Sequence, residues 1–315
     1  MRITLPTNAC DDIHNFIHSF VNNESLYQLV NAFGGQYKST NATANLKYLL
    51  RFSDCWDYRG STRARTEHDE NARWLVGKES FTDNQIMHLK KAKKDLGLVD
   101  NATPKRNEYD YIWVLGGAKL SCLLRTKLAK KIYDGLNCRP RKLSLLGSSR
   151  PINDSERRAT DTYAQGADTE FDLFVAAHNS IFSHCDSTVK MGKRDNTHSS
   201  WIIMEFEDGT SVLSAPSTDP KRRRANSLDT YLFFMKQYNV QPKSTILLVT
   251  SEIYVPYQHL EAFRSVVLPN NVEIETVGFP SEWGGELQGM NSDENYLQEI
   301  RSAIQSLNRL VDSIS

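Results

Sequence analysis

Three short stretches place small and polar residues directly behind apolar runs, a pattern that lets backbone approach an anion. Leu115-Gly116-Gly117-Ala118-Lys119 is the first. Its two glycines permit close approach of a ligand, and a helix start behind them would offer N–H groups to negative charge. It is neither GxxxxGK[ST] nor a full GxGxxG, so a tight strand-to-helix turn explains it equally well. Leu146-Gly147-Ser148-Ser149-Arg150 adds two hydroxyls and a guanidinium, groups suited to phosphate or carboxylate, although GSS is also ordinary loop chemistry. The third, Val249-Thr250-Ser251-Glu252, is followed by Tyr254 and Pro256. There Ser251 or Glu252 could equally cap the next helix.

These stretches matter only if they end strands of one sheet. Tyr111–Leu115, Leu143–Leu146 and Thr245–Val249 are short apolar runs that read as buried strands. Helix-period segments follow at about 120–133, 169–182, 226–238 and 257–266, with a further apolar run at 272–277. Trp201–Phe206 and Ser211–Leu213 flank Asp208-Gly209, a hairpin signal. Strand, turn and helix alternating in this way predict a parallel sheet with helices on both faces. Ligands of such sheets bind outside the C-terminal strand ends, which is where the three stretches fall.

The first hundred residues read differently. Apolar residues recur at helical spacing in Ile13, Phe16, Ile17 and Phe20 and again in Leu46, Leu49 and Leu50. Thr82 reads as the N-cap of a further helix whose Lys90, Lys91, Lys93 and Lys94 make a basic, solvated face. A polar stretch with Pro104 suggests a linker. The expected division is therefore a helical lobe over 1–105 and a sheet domain over 106–315, closed by an amphipathic helix near 294–314.

Histidine and cysteine add little. His14 and His18 are four apart on a predicted helix, a metal-ligand spacing, but no third ligand is evident and surface histidines are the simpler reading. His184-Cys185-Asp186 could be imagined as reactive, although adjacent residues rarely meet with the required geometry. Five scattered cysteines without a CxxC pair argue against a zinc ribbon or disulfide framework. No apolar run reaches the ~18–20 residues that span a bilayer, and the first residues lack the pattern of a secretory signal. The expectation is a cytoplasmic protein without a membrane partner.

The order of the motifs resembles the YdcF/SanA-like family (the ElyC/SanA/YdcF group). The matching residues are Leu115-Gly116-Gly117, Arg125, Gly147-Ser148-Ser149, Thr169-Glu170, Ser217-Thr218-Asp219 with Asn226, and Val249-Thr250-Ser251. The resemblance implies a three-layer α/β, Rossmann-like domain over roughly residues 108–300. It also implies site roles for Arg125, Glu170 and Asn226. A carboxylate at the helix start of Glu170 is favoured by the dipole, and a helix cap is its plainer role. Arg125 could pair with phosphate or carboxylate, or lie on an exposed helix face; Asn226 could read a ligand edge or orient a loop. Where many family members carry histidine, proline and arginine after the last strand, this chain has Tyr254, Pro256 and Tyr257. That departure puts a mechanism based on the histidine in doubt.

The chain balances 38 basic against 38 acidic residues over 315 positions, which argues against whole-surface attraction to a polyanion. The Lys221–Arg224 run would attract a small anion or RNA, but no interleaved aromatics offer base stacking, so nucleic acid ranks last. The leading expectation is an enzyme of group transfer or hydrolysis acting on a phosphate-bearing or nucleotide-like molecule. S-adenosylmethionine is one candidate cofactor or ligand, though no motif demands it. Gly116, Gly117, Gly147, Ser148 and Ser149 would cradle the ligand, with Arg125 supplying charge and Asn226 orientation. Thr250, Ser251 and Tyr254 would close the site, and Glu170 and Glu252 are the candidate catalytic carboxylates. The rival is a binding or regulatory protein that has lost the chemistry.

Overall fold

A computed structural model of the chain describes residues 1–37, 41–58, 79–182, 185–192, 199–221, 225–289 and 291–314. Along the chain run α1 (Ile13–Val21), α2 (Glu24–Ala32), α3 (Ala42–Phe52) and α4 (Asp83–Asp95). Then come β1 (Tyr111–Leu115), α5 (Ser121–Asp134), β2 (Lys142–Gly147), α6 (Asp154–Thr160) and α7 (Glu170–Ile181). Strands β3 (Ser187–Gly192), β4 (Trp201–Phe206) and β5 (Thr210–Ser214) precede α8 (Ser227–Gln237) and β6 (Thr245–Ser251). The chain ends through α9 (Val255–Ala262), α10 (Leu268–Asn270), β7 (Glu273–Phe279), α11 (Gly285–Gln288) and α12 (Asp293–Ile314). No described helix is long and apolar enough to cross a membrane.

Two compact units divide these elements. One comprises residues 1–100, 252–264 and 291–315, and the other 101–251 and 265–290. In the helical unit α12 is the central rod. Its apolar stripe Leu297, Ile300, Ile304, Leu307 and Leu310 is buried, as the 3–4 spacing of those residues requires. Around it pack α3, α4 and α9. Thr82 and Gln85 form a capping box at the start of α4, so the sequence signal there marks a true helix start. Buried charge is paired: Arg301 meets Asp54 at 2.9 Å and Asp57 at 3.2 Å.

The second unit is built on a seven-stranded sheet in the order β3-β4-β5-β2-β1-β6-β7. The run from β5 to β7 is parallel, while β4 and β3 add an antiparallel edge. Every residue of β1 is buried, which suits a central parallel strand covered on both faces. Alternation sorts its side chains: Ile112 and Val114 join a core with Leu124 and Leu128 of α5 and Phe171 and Phe174 of α7. Trp113 points the other way, onto Tyr231 and Phe234 of α8 at 5.4 and 4.9 Å between ring centroids. The result is a three-layer, Rossmann-like α/β sheet. The Asp208-Gly209 signal is the β4–β5 turn, with Gly209 at φ +85°.

The strand order has a chemical consequence. From β1 the chain goes to β2, then to the edge strand β3 and back inward through β4 and β5 on the same side, before it places β6 on the other side of β1. The topological switch point therefore lies between the C-terminal ends of β1 and β6, the position at which open α/β sheets place their ligands.

Candidate functional site

At that switch point stands Arg125, from the second turn of α5. It is only 3% exposed, so its charge must be met inside the protein. Nη1 donates to the Leu115 carbonyl at 2.8 Å and also to the Gly116 carbonyl. Nε and Nη2 donate to Ser251 Oγ at 3.2 and 2.9 Å. The guanidinium thereby ties the end of β1 to the end of β6. Its exposed-helix reading falls, and its role as a freely available cation falls with it, because its donors already have acceptors.

The two glycines have a steric reason to be there. A Cβ on Gly117 would lie 2.6 Å from Ser121 Cβ and 3.1 Å from the Arg125 guanidinium. One on Gly116 would lie 2.6 Å from the Glu170 carboxyl carbon. Backbone and two ionic side chains thus share space that only glycine leaves open.

Glu170 reaches Gly116 because the loop after β2 is stitched to the start of α7. Glu170 N donates to Arg150 O at 2.9 Å and Phe171 N to Ser148 O at 3.1 Å. The helix itself is capped by Thr169 with Asp172, so the capping role considered for Glu170 belongs to its neighbours. The Glu170 carboxylate accepts from Ser148 Oγ at 2.7 Å and lies 3.7 Å from Arg150 Nη2.

Arg150 and Glu156 complete the cluster. The guanidinium makes a bidentate pair with Glu156 at 2.7 Å on both arms. Burial alone would lower the Arg150 pKa, but the Glu156 hydrogen bonds and nearby Glu170 raise it above its ordinary value. Glu156 sits on α6, a seven-residue helix that helical periodicity does not announce. The missed signal is Asn153-x-x-Glu156, a capping box whose two halves bond each other. Cys122 lies beside them with its thiol donating to Gly117 O at 3.3 Å. Burial, with Glu170 nearby, pushes that thiol up to about 12, so it is no thiolate nucleophile.

The other expected site residues fall into different settings. Gly147 is a packing glycine, since a Cβ there would meet the Phe174 ring at 3.1 Å. Ser149 is exposed. Asn226 caps α8: its Oδ1 accepts from Asp229 N at 2.9 Å, and Asp229 Oδ2 accepts from Asn226 N at 2.9 Å. Asp229 also accepts from Thr218, fixing the loop after β5. Thr250 Oγ1 is buried and has no hydrogen-bond partner among the described residues. Glu252 and Tyr254 span a 3-10 turn assigned to the helical unit. Of the Lys221–Arg224 run, residues 222–224 lie outside the described residues, as does His184 of the His184-Cys185-Asp186 triplet.

Residues 6–97 match the family described as Rv3785 N-terminal domain. The chain is 31% identical over 329 aligned residues to the uncharacterized proteins Rv3785 and MT3893 of Mycobacterium tuberculosis, and equally to Mb3814 of Mycobacterium bovis. These alignments cover 97% of this chain and 91% of each relative. No solved structure matches it. The resemblance to the YdcF/SanA-like family is overturned by these relatives. Its motifs were small residues behind buried strands, which any parallel sheet needs where strands turn into helices, so they tracked the fold and not the ancestry. The chain belongs to the Rv3785 family.

Proposed function

We propose that the sheet unit binds a phosphate-bearing or nucleotide-like small molecule at the β1–β6 switch point and acts on it by group transfer or hydrolysis, with Glu170 as the proton acceptor. The observation that carries this reading is the convergence of Arg125, Ser148, Glu170 and Ser251 on the Gly116-Gly117 turn. Within that cluster the two carboxylates differ. Glu156 is held in a bidentate pair, whereas Glu170 has one hydroxyl donor and a longer contact to Arg150. A hydroxyl 2.7 Å from a carboxylate, with a cation beside that carboxylate, has the spacing of a nucleophile or substrate hydroxyl facing its base. The five free cysteines fit a reducing compartment, so we assign the activity to the cytoplasm.

A second reading, binding without turnover, is favoured by one specific observation. Both arginines of the cluster already have internal acceptors, and their charges balance those of Glu156 and Glu170. Thermal-shift screening with nucleotides, S-adenosylmethionine and phosphosugars, followed by mass-spectrometric product analysis, separates the two. A true ligand at about a hundredfold its Kd stabilises the chain by roughly 2.7 kcal/mol. Glu170→Gln should keep binding and lose product formation if the carboxylate is the base. Equal product from wild type and Glu170→Gln removes the catalytic assignment; no stabilisation by any compound class removes the site.

A further inference from the structure

A groove of about 660 Å³ lies along α1 in the helical unit. One wall is α1 itself. Asp12, Asn15, Ser19 and Asn22 follow one another at steps of three, four and three, so they form a single stripe beside the groove. All four are exposed, and each carries an oxygen that can accept a hydrogen bond. The other wall is the irregular segment of residues 1–6, which contributes the half-buried Ile3 and Leu5. Buried Phe16 makes the apolar floor.

The second wall is pinned along its length. Asn23 Nδ2 donates to Met1 O at 2.9 Å, Ile3 N donates to Asp95 O at 2.8 Å, and His259 Nε2 lies 2.7 Å from Pro6 O. The groove is therefore preformed, and a ligand need not order it. Its charge is concentrated at the ends. Asp11 and Asp12 stand at one end and Glu24 at the other, separated by the length of α1, about 15 Å at a rise of 1.5 Å per residue. Burial pushes the Asp11 carboxyl up, but the N–H groups of Thr7 and Asn8 outweigh this and hold it below its ordinary 3.8, so it is charged at neutral pH. The two cations of the lining are engaged elsewhere: the Met1 ammonium lies 3.3 Å from Asp95, and Arg2 donates to the Val99 and Asp100 carbonyls at 3.0 and 3.2 Å. Negative charge at each end of an apolar floor fits a cation that is long, aliphatic and charged at both ends. A single metal ion could not meet both ends, and among the described residues no three carboxylate, imidazole or thiol groups gather as a metal site.

We propose that the α1 groove binds a linear polyamine. One terminal ammonium pairs with Asp12 beside Asp11, and the other pairs with Glu24, where the last carbonyls of α1 add the negative end of the helix dipole. The aliphatic stem lies along Phe16, Ile3 and Leu5, and the inner amines donate to the Asn15, Ser19 and Asn22 oxygens. This site is independent of the switch point and of the reading given to it.

The test uses the full chain and isothermal titration at fixed, low ionic strength with spermine, putrescine and trilysine. Spermine, long enough to reach both ends, should bind more tightly than putrescine, which reaches only one. Asp12→Asn keeps the cap of α1 and Glu24→Gln keeps the side-chain shape, yet each should weaken spermine about fivefold, the weight of one partly exposed ion pair. Glu207→Gln, on the β4–β5 turn, should leave spermine affinity unchanged. A second measurement needs no variant: on adding spermine to the wild-type chain, hydrogen exchange should slow across residues 1–6 and 12–24. Equal affinity for spermine and putrescine, or equal losses in all three variants, would mean attraction to acidic surface in general and would overturn the site. Tighter binding of trilysine than of spermine would make the groove a peptide site and overturn the polyamine assignment. Absence of spermine binding, or unchanged exchange in both segments, would also remove it.

Discussion

Gly117 is the residue on which the switch point turns. Its missing side chain lets Ser121 and the Arg125 guanidinium approach the β1–α5 turn. Gly117→Ala should displace that guanidinium from the Leu115 carbonyl and destabilise the chain by about 1–3 kcal/mol, the usual cost of overpacking a filled site. Urea unfolding monitored by circular dichroism reads this directly, and an unchanged midpoint would show that the turn can yield. Arg150 and Glu156 allow a sharper statement, because both side chains are buried, at 8% and 1% exposure. Glu156→Gln leaves the buried guanidinium with only the longer contact to Glu170 as counter-charge and should cost up to about 3–5 kcal/mol. The double replacement Arg150→Met with Glu156→Leu should recover much of that loss, since an apolar pair needs no compensation. Failure of the double variant to recover would mean that the pair also positions Glu170.

At the scale of elements, caps decide where helices begin and what lies beside them. The Asn226–Asp229 box starts α8 and simultaneously binds the loop at Thr218. Asn226→Ala should therefore cost about 1 kcal/mol as a cap, and Asp229→Ala should cost more because it also releases that loop. Thermal unfolding of the two single variants and the double variant checks this, with non-additive losses expected for partners in one box. The same elements show what could be read from the chain. β1, β2, β6, α5, α7, α8 and α12 announce themselves through apolar runs or helical periodicity, because each buries a continuous face. β3 does not: Val189 and Met191 are 49% and 55% exposed, so no core imposes alternation on it. α6 is seven residues long and carries too little periodicity, and only its capping box betrays it. In the site, Gly116, Gly117 and Ser148 were legible as strand-end residues. The Arg125–Ser251 bonds and the approach of Glu170 to Gly116 join chain segments that only folding brings together.

Stability of the whole molecule against acid depends on groups in both units. His178 of the sheet unit is fully buried between Phe206 and Phe182, at 3.6 and 5.2 Å between ring centroids. Its Nε2 lies 2.6 Å from Thr210 Oγ1 and 3.5 Å from Asp208 Oδ2, and Asn179 lies beside Nδ1. Burial lowers its pKa below the ordinary 6.5, and Asp208 opposes that shift without cancelling it. The folded state therefore holds this imidazole neutral, while the unfolded chain takes up a proton near 6.5. Its contribution is complete above that value and declines as pH falls below it, by at most about 1.4 kcal/mol per pH unit. Glu261 of the helical unit works in a lower window. Burial pushes its carboxyl up, but hydrogen bonds from Ser306, Arg309 and Arg264 outweigh this and hold the pKa below its ordinary 4.5. Its stabilisation is present above 4.5 and disappears as pH falls through the folded-state value. Unfolding free energy measured from pH 8 to 3 should thus decline in two stages. His178→Gln should flatten the upper stage and leave the lower one, and Glu261→Gln should do the reverse. A His178→Gln profile that keeps the wild-type slope between pH 6.5 and 5 would show that another group, and not this imidazole, titrates there.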